Sequence, residues 1–238
     1  MDAVVDTSNY KAIVDGFKGA LGCNGIRIYI DPSLSDFSQY PAIYTDVLTY
    51  ARQEYGMNVY ANPLATGSFG KTNADYAAWI VAYANTVKPD FIGPFNESGL
   101  GATDLADIAG RVRMGLTYAT TLVGPDAQHV EGSQALLTSS PALSASFDVF
   151  GSHNAVSDDG ATTAAWNTLA QTAGIHTWAT EDPRDWSDQN ASAMQVGVEA
   201  VTLAQVRGLV LYEAFPSLLD ASGVLTPKGA TIAMNVLQ

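Results

Sequence analysis

Apolar residues along this chain recur at two spacings, every second residue or every third to fourth, and blocks of one kind exchange with blocks of the other. The first kind predicts strands at 1–5 (MDAVV), 25–30 (GIRIYI), 57–65 (MNVYANPLA), 90–97 (DFIGPFNE), 120–127 (TTLVGPDA), 146–154 (SFDVFGSHN), 175–183 (IHTWATEDP) and 208–215 (GLVLYEAF). The second predicts helices at 10–22, 42–56, 74–88, 103–119, 161–174 and 190–207, with a short closing helix over 226–237. Ile43, Val47, Leu48 and Ala51 share one face of the second helix, and Tyr76, Ile80 and Ala84 share one face of the third, whose cap is Asn73 or Thr72. The first strand is very short, and in the fifth repeat the helical stretch 131–145 is interrupted by Pro141.

Eight strand–helix units in 238 residues fit a compact α/β fold, the (β/α)8 TIM barrel, which averages about 250 residues. A doubly wound open sheet gives the same alternation but expects a phosphate-gripping turn after an early strand. The GSFG stretch at 67–70 follows the third strand, lacks that spacing and is read as an ordinary loop. No Pro/Gly/Ser linker divides the chain, so one domain over 1–238 is expected.

Composition narrows the partners. The chain is 47% hydrophobic and 15% charged, enough to bury a sizeable core, and its formal net charge of -13 repels nucleic acid and anionic membrane surfaces. Neutral or cationic ligands stay open. The single cysteine, Cys23, permits no intrachain disulfide and reads as a small apolar-flanked packing residue. No run of 18 apolar residues and no basic-apolar leader occur. A monomer is expected, extracellular or periplasmic after removal of a leader that this chain does not carry, with a cytoplasmic location left open.

Candidate chemistry gathers at the C-terminal ends of the predicted strands, where barrels build their sites. Arg27 lies inside the second strand, Asn62 ends the third, Asn96 and Glu97 the fourth, His153 the sixth and Glu181 the seventh, and Glu213 lies in the eighth. An Arg between two isoleucines is costly unless paired, so an acid is expected opposite Arg27. Glu97 and Glu181 are 84 residues apart, and only closure of a barrel brings them face to face. Two facing carboxylates, one proton-bearing and one held ionised by a cation, are the equipment of glycoside hydrolysis. Other chemistries fit less well. His129, His153 and His176 form no closely spaced ligand set, so no metal or other cofactor is expected, and Ser152 has no GxSxG elbow. Trp79 and Trp166 sit in helical patterns and read as packing residues, whereas Trp186, in the loop after Glu181, is placed to stack on a sugar.

On these residues the chain resembles a clan A glycoside hydrolase, the superfamily of retaining (β/α)8 glycosidases. FNES supplies the Asn–Glu pair at the end of strand four, HTWATED the Glu of strand seven, Arg27 the strand-two arginine and His153 the strand-six histidine. The tail LLDASGVLTPKGATIA is also similar, so the likeness spans nearly the whole chain. It implies a retaining hydrolase of a β-linked glycan with Glu97 as acid/base and Glu181 as nucleophile, and with Arg27, Asn62, Asn96, His153, Trp186 and Glu213 as supporting or substrate-binding residues. Two features depart from the clan: strand eight carries Glu213 and Phe215 where a Trp platform is common, and the loops are short. A non-catalytic carbohydrate-binding barrel, and a lyase or isomerase using the same mouth, are the alternatives.

Overall fold

A computed structural model describes residues 9–33, 37, 42–63, 67, 69–155, 160–182, 206–211, 218–227 and 229–230. Within them, seven strands form one sheet in sequence order, every neighbouring pair parallel. They are β1 (Gly25–Ile30), β2 (Asn58–Pro63), β3 (Phe91–Ile92), β4 (Thr121–Ala127), β5 (Val149–His153), β6 (His176–Asp182) and β7 (Gly208–Leu211). These are the second to eighth predicted strands; the first, at 1–5, lies outside the described residues.

The helices alternate with them: α1 (Tyr10–Asp15), α2 (Ala42–Tyr55), α3 (Asn73–Val87), α4 (Ala102–Gly115), α5 (Val130–Ser139), α6 (Pro141–Ser144) and α7 (Gly160–Ala173). All but the end of the predicted helix over 190–207 lies outside the described residues, as does most of the one over 226–237. Thr72, rather than Asn73, caps α3, its hydroxyl accepting from the Asp75 amide at 3.2 Å. Pro141 splits the fifth repeat into α5 and α6, standing in the first turn of α6 behind a Ser140 cap. The predicted first helix continues from α1 as a π-helical turn, Gly16–Ala20. The fourth strand is cut to two residues because Pro94 has no amide to add to the ladder, although Gly93 still donates to the Ala61 carbonyl at 2.8 Å.

Curvature follows from contacts across the sheet. Laid flat, β1 and β6 would stand about 24 Å apart, five spacings of about 4.8 Å. Instead the Arg27 guanidinium on β1 is 2.6 Å from the Glu181 carboxylate on β6, so the seven strands wrap into a nearly closed barrel. The ends of the described chain also meet. Leu218 and Leu219 are buried, and the turn that follows them lays Gly223 so close on α1 that a Cβ there would strike the Ala12 carbonyl.

Strand alternation sorts the side chains into two sets. Ile28, Ile30, Val59, Ala61, Ile92, Leu122, Phe150 and Ala179 face the helices, joined there by Tyr76, Trp79, Ile80, Ala84 and Trp166, so both of these tryptophans are core residues. Val47, Leu48 and Ala51 are the buried face of α2. Tyr60, Phe91, Val123, Val149, Trp178 and Val210 point inward and meet across the barrel, with the Trp178 ring 4.6 Å from Phe91 and 6.2 Å from Tyr60. Two repeats share one device for tying a helix to the sheet: Asp90 accepts from the Val59 amide at 2.8 Å and from Arg52, and Asp148 accepts from the Leu122 amide at 2.8 Å and from Arg113. Cys23 packs beside Val14, Val47 and Met57, and burial pushes its thiol up to about 11, which suits a packing role. Among the described residues no helix is long and apolar enough to cross a membrane.

Candidate active site

One layer above the apolar interior, toward the C-terminal ends of the same strands, the inward residues become polar. β1 contributes Arg27, whose side chain is 7% exposed. Its Nε donates to Asn62 Oδ1 on β2 at 2.9 Å, and its Nη1 donates to Glu181 Oε2 at 2.6 Å and to the Thr180 carbonyl at 3.1 Å. The guanidinium also lies over the Tyr29 ring at 4.8 Å and the Tyr60 ring at 5.8 Å. Burial by itself would loosen its proton, but Tyr29, Tyr60, Glu181 and Asp126 together outweigh that and hold Arg27 more firmly charged than usual. The acid expected opposite Arg27 is therefore Glu181.

Glu97 follows β3 in a left-handed backbone conformation, φ 47°, uncommon for a residue with a Cβ. The Glu97 amide donates to the Asp126 carbonyl at 2.9 Å, and its neighbour Asn96 donates through Nδ2 to the Pro63 carbonyl at 3.0 Å. This stretch is thereby tied to strands on both sides. His153, 1% exposed at the end of β5, joins the two acids: its Nδ1 is 2.8 Å from Glu97 Oε1 and its Nε2 is 3.8 Å from Glu181 Oε2. The shorter contact holds one proton, given either by the imidazole N–H to the carboxylate or by the Glu97 carboxyl to the ring nitrogen. Glu97 is the more open of the pair, 29% exposed against 15% for Glu181.

Arg27, Asn62, Asn96, Glu97, His153 and Glu181 are thus brought together at one end of the barrel. Trp186 and Glu213 lie outside the described residues. Three buried nitrogens in this group, Arg27 Nη2, Asn62 Nδ2 and His153 Nε2, make no hydrogen bond among the described residues, a concentration unusual for buried polar atoms. A cavity of about 770 Å³ opens on the Glu97 side, lined among others by Ser98, Leu100, Gln128, His129 and Glu131, a volume within the range of small-molecule sites. Among the described residues no group of three or more His, Cys, Asp or Glu could hold a metal ion.

Three members are not marked by the sequence, Tyr60, Asp126 and Thr180, and of these Asp126 also breaks the strand parity. Asp126 is fully buried, with Tyr60 donating to its Oδ2 at 2.6 Å and the Thr180 hydroxyl donating to its Oδ1. Strict alternation from Val123 would turn Asp126 outward, and strict alternation from Trp178 would allow Thr180 inside but not Glu181 as well. The ladders slip between Pro125 and Ala127, between Ser152 and His153, and between Ala179 and Asp182, and these irregularities bring Asp126, and both Thr180 and Glu181, to the interior. Two glycines leave the room: a Cβ on Gly93 would strike the Tyr60 hydroxyl, and one on Gly151 would lie 2.8 Å from Asp126 Oδ1 and 2.9 Å from Thr180 Cγ2. Burial, followed by the charge of Asp126, pushes the Tyr60 hydroxyl well above the usual phenol range, so it stays a donor.

No family model and no curated protein matches the sequence. Solved structures do match. A GH113 β-mannanase from Alicyclobacillus acidocaldarius superposes with a TM-score of 0.68 at 12% identity, over 97% of this chain and 92% of that one. An endo-β-1,4-glucanase from Xanthomonas axonopodis pv. citri, carrying a triple mutation, gives 0.72 at 13% identity, over 95% and 90%. A β-mannanase from Thermomonospora fusca gives 0.65 at 15% identity, over 95% and 84%. At such identities the likeness is one of fold, and the chain is accordingly a (β/α)8 barrel of the kind on which these mannanases and this endoglucanase are built.

Proposed function

We propose that the protein is a retaining glycoside hydrolase that cleaves β-glycosidic bonds of a polysaccharide or oligosaccharide, with Glu97 as acid/base and Glu181 as nucleophile. The observation that carries this reading is the single buried imidazole of His153 in contact with both carboxylates, one of which is paired with a buried arginine and the other not. Their surroundings differ as the two roles require. Glu181, held by Arg27, attacks the anomeric carbon while Glu97 hands its proton to the departing glycosidic oxygen, leaving a glycosyl ester on Glu181. Glu97, now ionised, takes a proton from water as that water attacks the same carbon, which frees Glu181 and restores the original configuration. Retention asks for carboxyl groups about 5–5.5 Å apart, against about 6.5–9.5 Å for inversion.

The similar structures bear the names β-1,4-mannanase and endo-β-1,4-glucanase, which makes β-1,4-linked mannose and glucose chains the first substrates to try. Trp186 is proposed as a stacking residue and Glu213 as a hydrogen-bonding residue for the same glycan. We take residues 1–238 as one catalytic domain, which limited proteolysis leaving a single stable core would support. Because β-1,4-linked glucan and mannan polymers are mostly wall materials outside the cytoplasm, action outside the cytoplasm is proposed, and activity confined to the soluble cytoplasmic fraction of the source cells would refute it. The direct test is the configuration of the first product. Reducing-end-labelled β-1,4 manno- and gluco-oligosaccharides are digested and the new anomer followed by proton NMR. A β-anomer appearing first supports the reading, an α-anomer overturns the retaining mechanism, and no cleavage of any β-linked oligosaccharide in a wider panel overturns the hydrolase.

A further inference from the structure

Asp126 is a fully buried acid for which the proposed reaction has no use. An ionised carboxylate out of water needs compensation, and among the described residues none of its hydrogen-bond partners is a cation: they are the hydroxyls of Tyr60 and Thr180. Both partners, however, also touch Arg27. The Arg27 guanidinium lies over the Tyr60 ring at 5.8 Å and donates to the Thr180 carbonyl at 3.1 Å. The main chain of Asp126, in a left-handed conformation at φ 58°, offers its carbonyl to the Glu97 amide at 2.9 Å. One residue is thus linked to both carboxylate arms of the site.

We propose that Asp126 is a positioning residue, serving through Tyr60 and Thr180 as the second counter-charge of Arg27 and through its main chain as the anchor of Glu97. The role rests on the retaining reading above and follows from charge conservation along it. When a Glu181 oxygen bonds to the anomeric carbon and the bond to the leaving oxygen breaks, with the Glu97 proton going to that oxygen, the charge on Glu181 is spent in a neutral ester. Arg27 stays buried and positive while the negative charge has passed to Glu97, which touches His153 and not Arg27, so Asp126 is the acid left among the groups that act on Arg27. The electrostatic pull that Glu181, Tyr29, Tyr60 and Asp126 share on Arg27 agrees with this arrangement. Without the Asp126 charge, Arg27 would favour the ionised form of Glu181 more strongly, so that attack slows and the ester is expelled faster.

Asp126→Asn isolates the charge, because asparagine has the same shape, tolerates a positive φ and can still bond both hydroxyls. The probes are 2,4-dinitrophenyl β-cellobioside and β-mannobioside, with the pre-steady-state burst read by rapid quench and the covalent adduct by intact mass. For whichever probe the parent accepts, glycosylation should slow about 10- to 100-fold, by analogy with the loss of outer partners of metal ligands. The steady-state fraction of glycosyl-enzyme should fall, while circular dichroism and melting stay near the parent's. Thr180→Val, read in the same way, should move both quantities in the same direction by less, and it stands as the measurement if Asp126→Asn does not fold. A burst rate and adduct fraction equal to the parent's, or slowed turnover with an unchanged adduct fraction, overturns the assignment. If the first product of the parent is of inverted configuration, the retaining reading fails first and this role falls with it.

Discussion

The floor and the mouth of the barrel are lined by the same strands, yet they are chemically opposite. Phe91, Val123, Val149, Trp178 and Val210 make an apolar floor, Tyr60 bridges the two layers with its ring in the floor and its hydroxyl on Asp126, and further along the strands stand Asn62, Asp126, His153, Thr180 and Glu181. The floor is ordered by area removed from water, which tolerates conservative exchange and has no directional demand. The mouth is ordered by a chain of contacts in which each polar group needs its particular partner: Asn62 to Arg27, Arg27 to Glu181, Glu181 to His153, His153 to Glu97. Floor variants should therefore lower stability and spare chemistry. Mouth variants should damage chemistry first, and stability wherever a charge is stranded.

The sharpest break in that contrast is Glu181→Ala, which should abolish turnover while the protein stays folded. Azide should restore cleavage by attacking from the vacated side and release a product of inverted configuration; rescue by azide with retained configuration would assign the nucleophile elsewhere. Next comes Arg27→Met, which leaves Glu181 buried without its cation. The expected loss is about 3–5 kcal/mol in urea unfolding, the range for breaking a buried pair from one side, together with most of the activity. A loss under about 1 kcal/mol would show that the pair is screened by water.

On the floor, Val123→Ala removes two methyl groups from a fully buried site and should cost about 2 kcal/mol, from roughly 0.8 kcal/mol per buried methylene plus a cavity contribution. Its kcat on an accepted glycoside, measured per folded molecule, should stay within a factor of about two of the parent. A far larger drop would mean that the two layers are not separable. The smallest effect is expected away from both layers. Arg111 and Asp107 on α4 meet at 2.8 Å, close to the Arg27–Glu181 distance of 2.6 Å, but with side chains 48% and 41% exposed instead of 7% and 15%. Arg111→Ala should change urea stability by no more than about 0.5 kcal/mol, showing that burial rather than distance separates the two ion pairs.

Much of the fold is legible in the order of residues alone. The alternation of spacings locates β1, β2, β4, β5, β6 and β7, because a strand with one face on helices and one in a barrel keeps period two whatever its neighbours do. Pro141 marks the broken fifth helix, and Arg27 between two isoleucines calls for a buried acid opposite. Less legible is the shortness of β3, where Pro94 outweighs the apolar run around it, and the π-helical turn after α1, which lies where Gly16 meets the distant Gly223. Trp186 and Glu213 lie outside the described residues.

What the sequence by itself determined is which residues could not be ordinary: a charge inside a strand, acids and amides where apolar runs end, a histidine at a strand end. Those are local signals, since the cost of burying a polar group is set by its immediate chain neighbours as soon as the strand is placed. Only the tertiary structure decided which of them meet. Pairing Arg27 with Glu181 needs closure of the sheet, and joining Glu97 to Glu181 through His153 needs the chain to bring three strand ends to one side. The inward turn of Asp126 and the shared inward facing of Thr180 and Glu181 depend on register slips between neighbouring strands. A slip of one residue reverses the face a side chain presents, and it is fixed by how adjacent strands pack rather than by the residues of either strand alone.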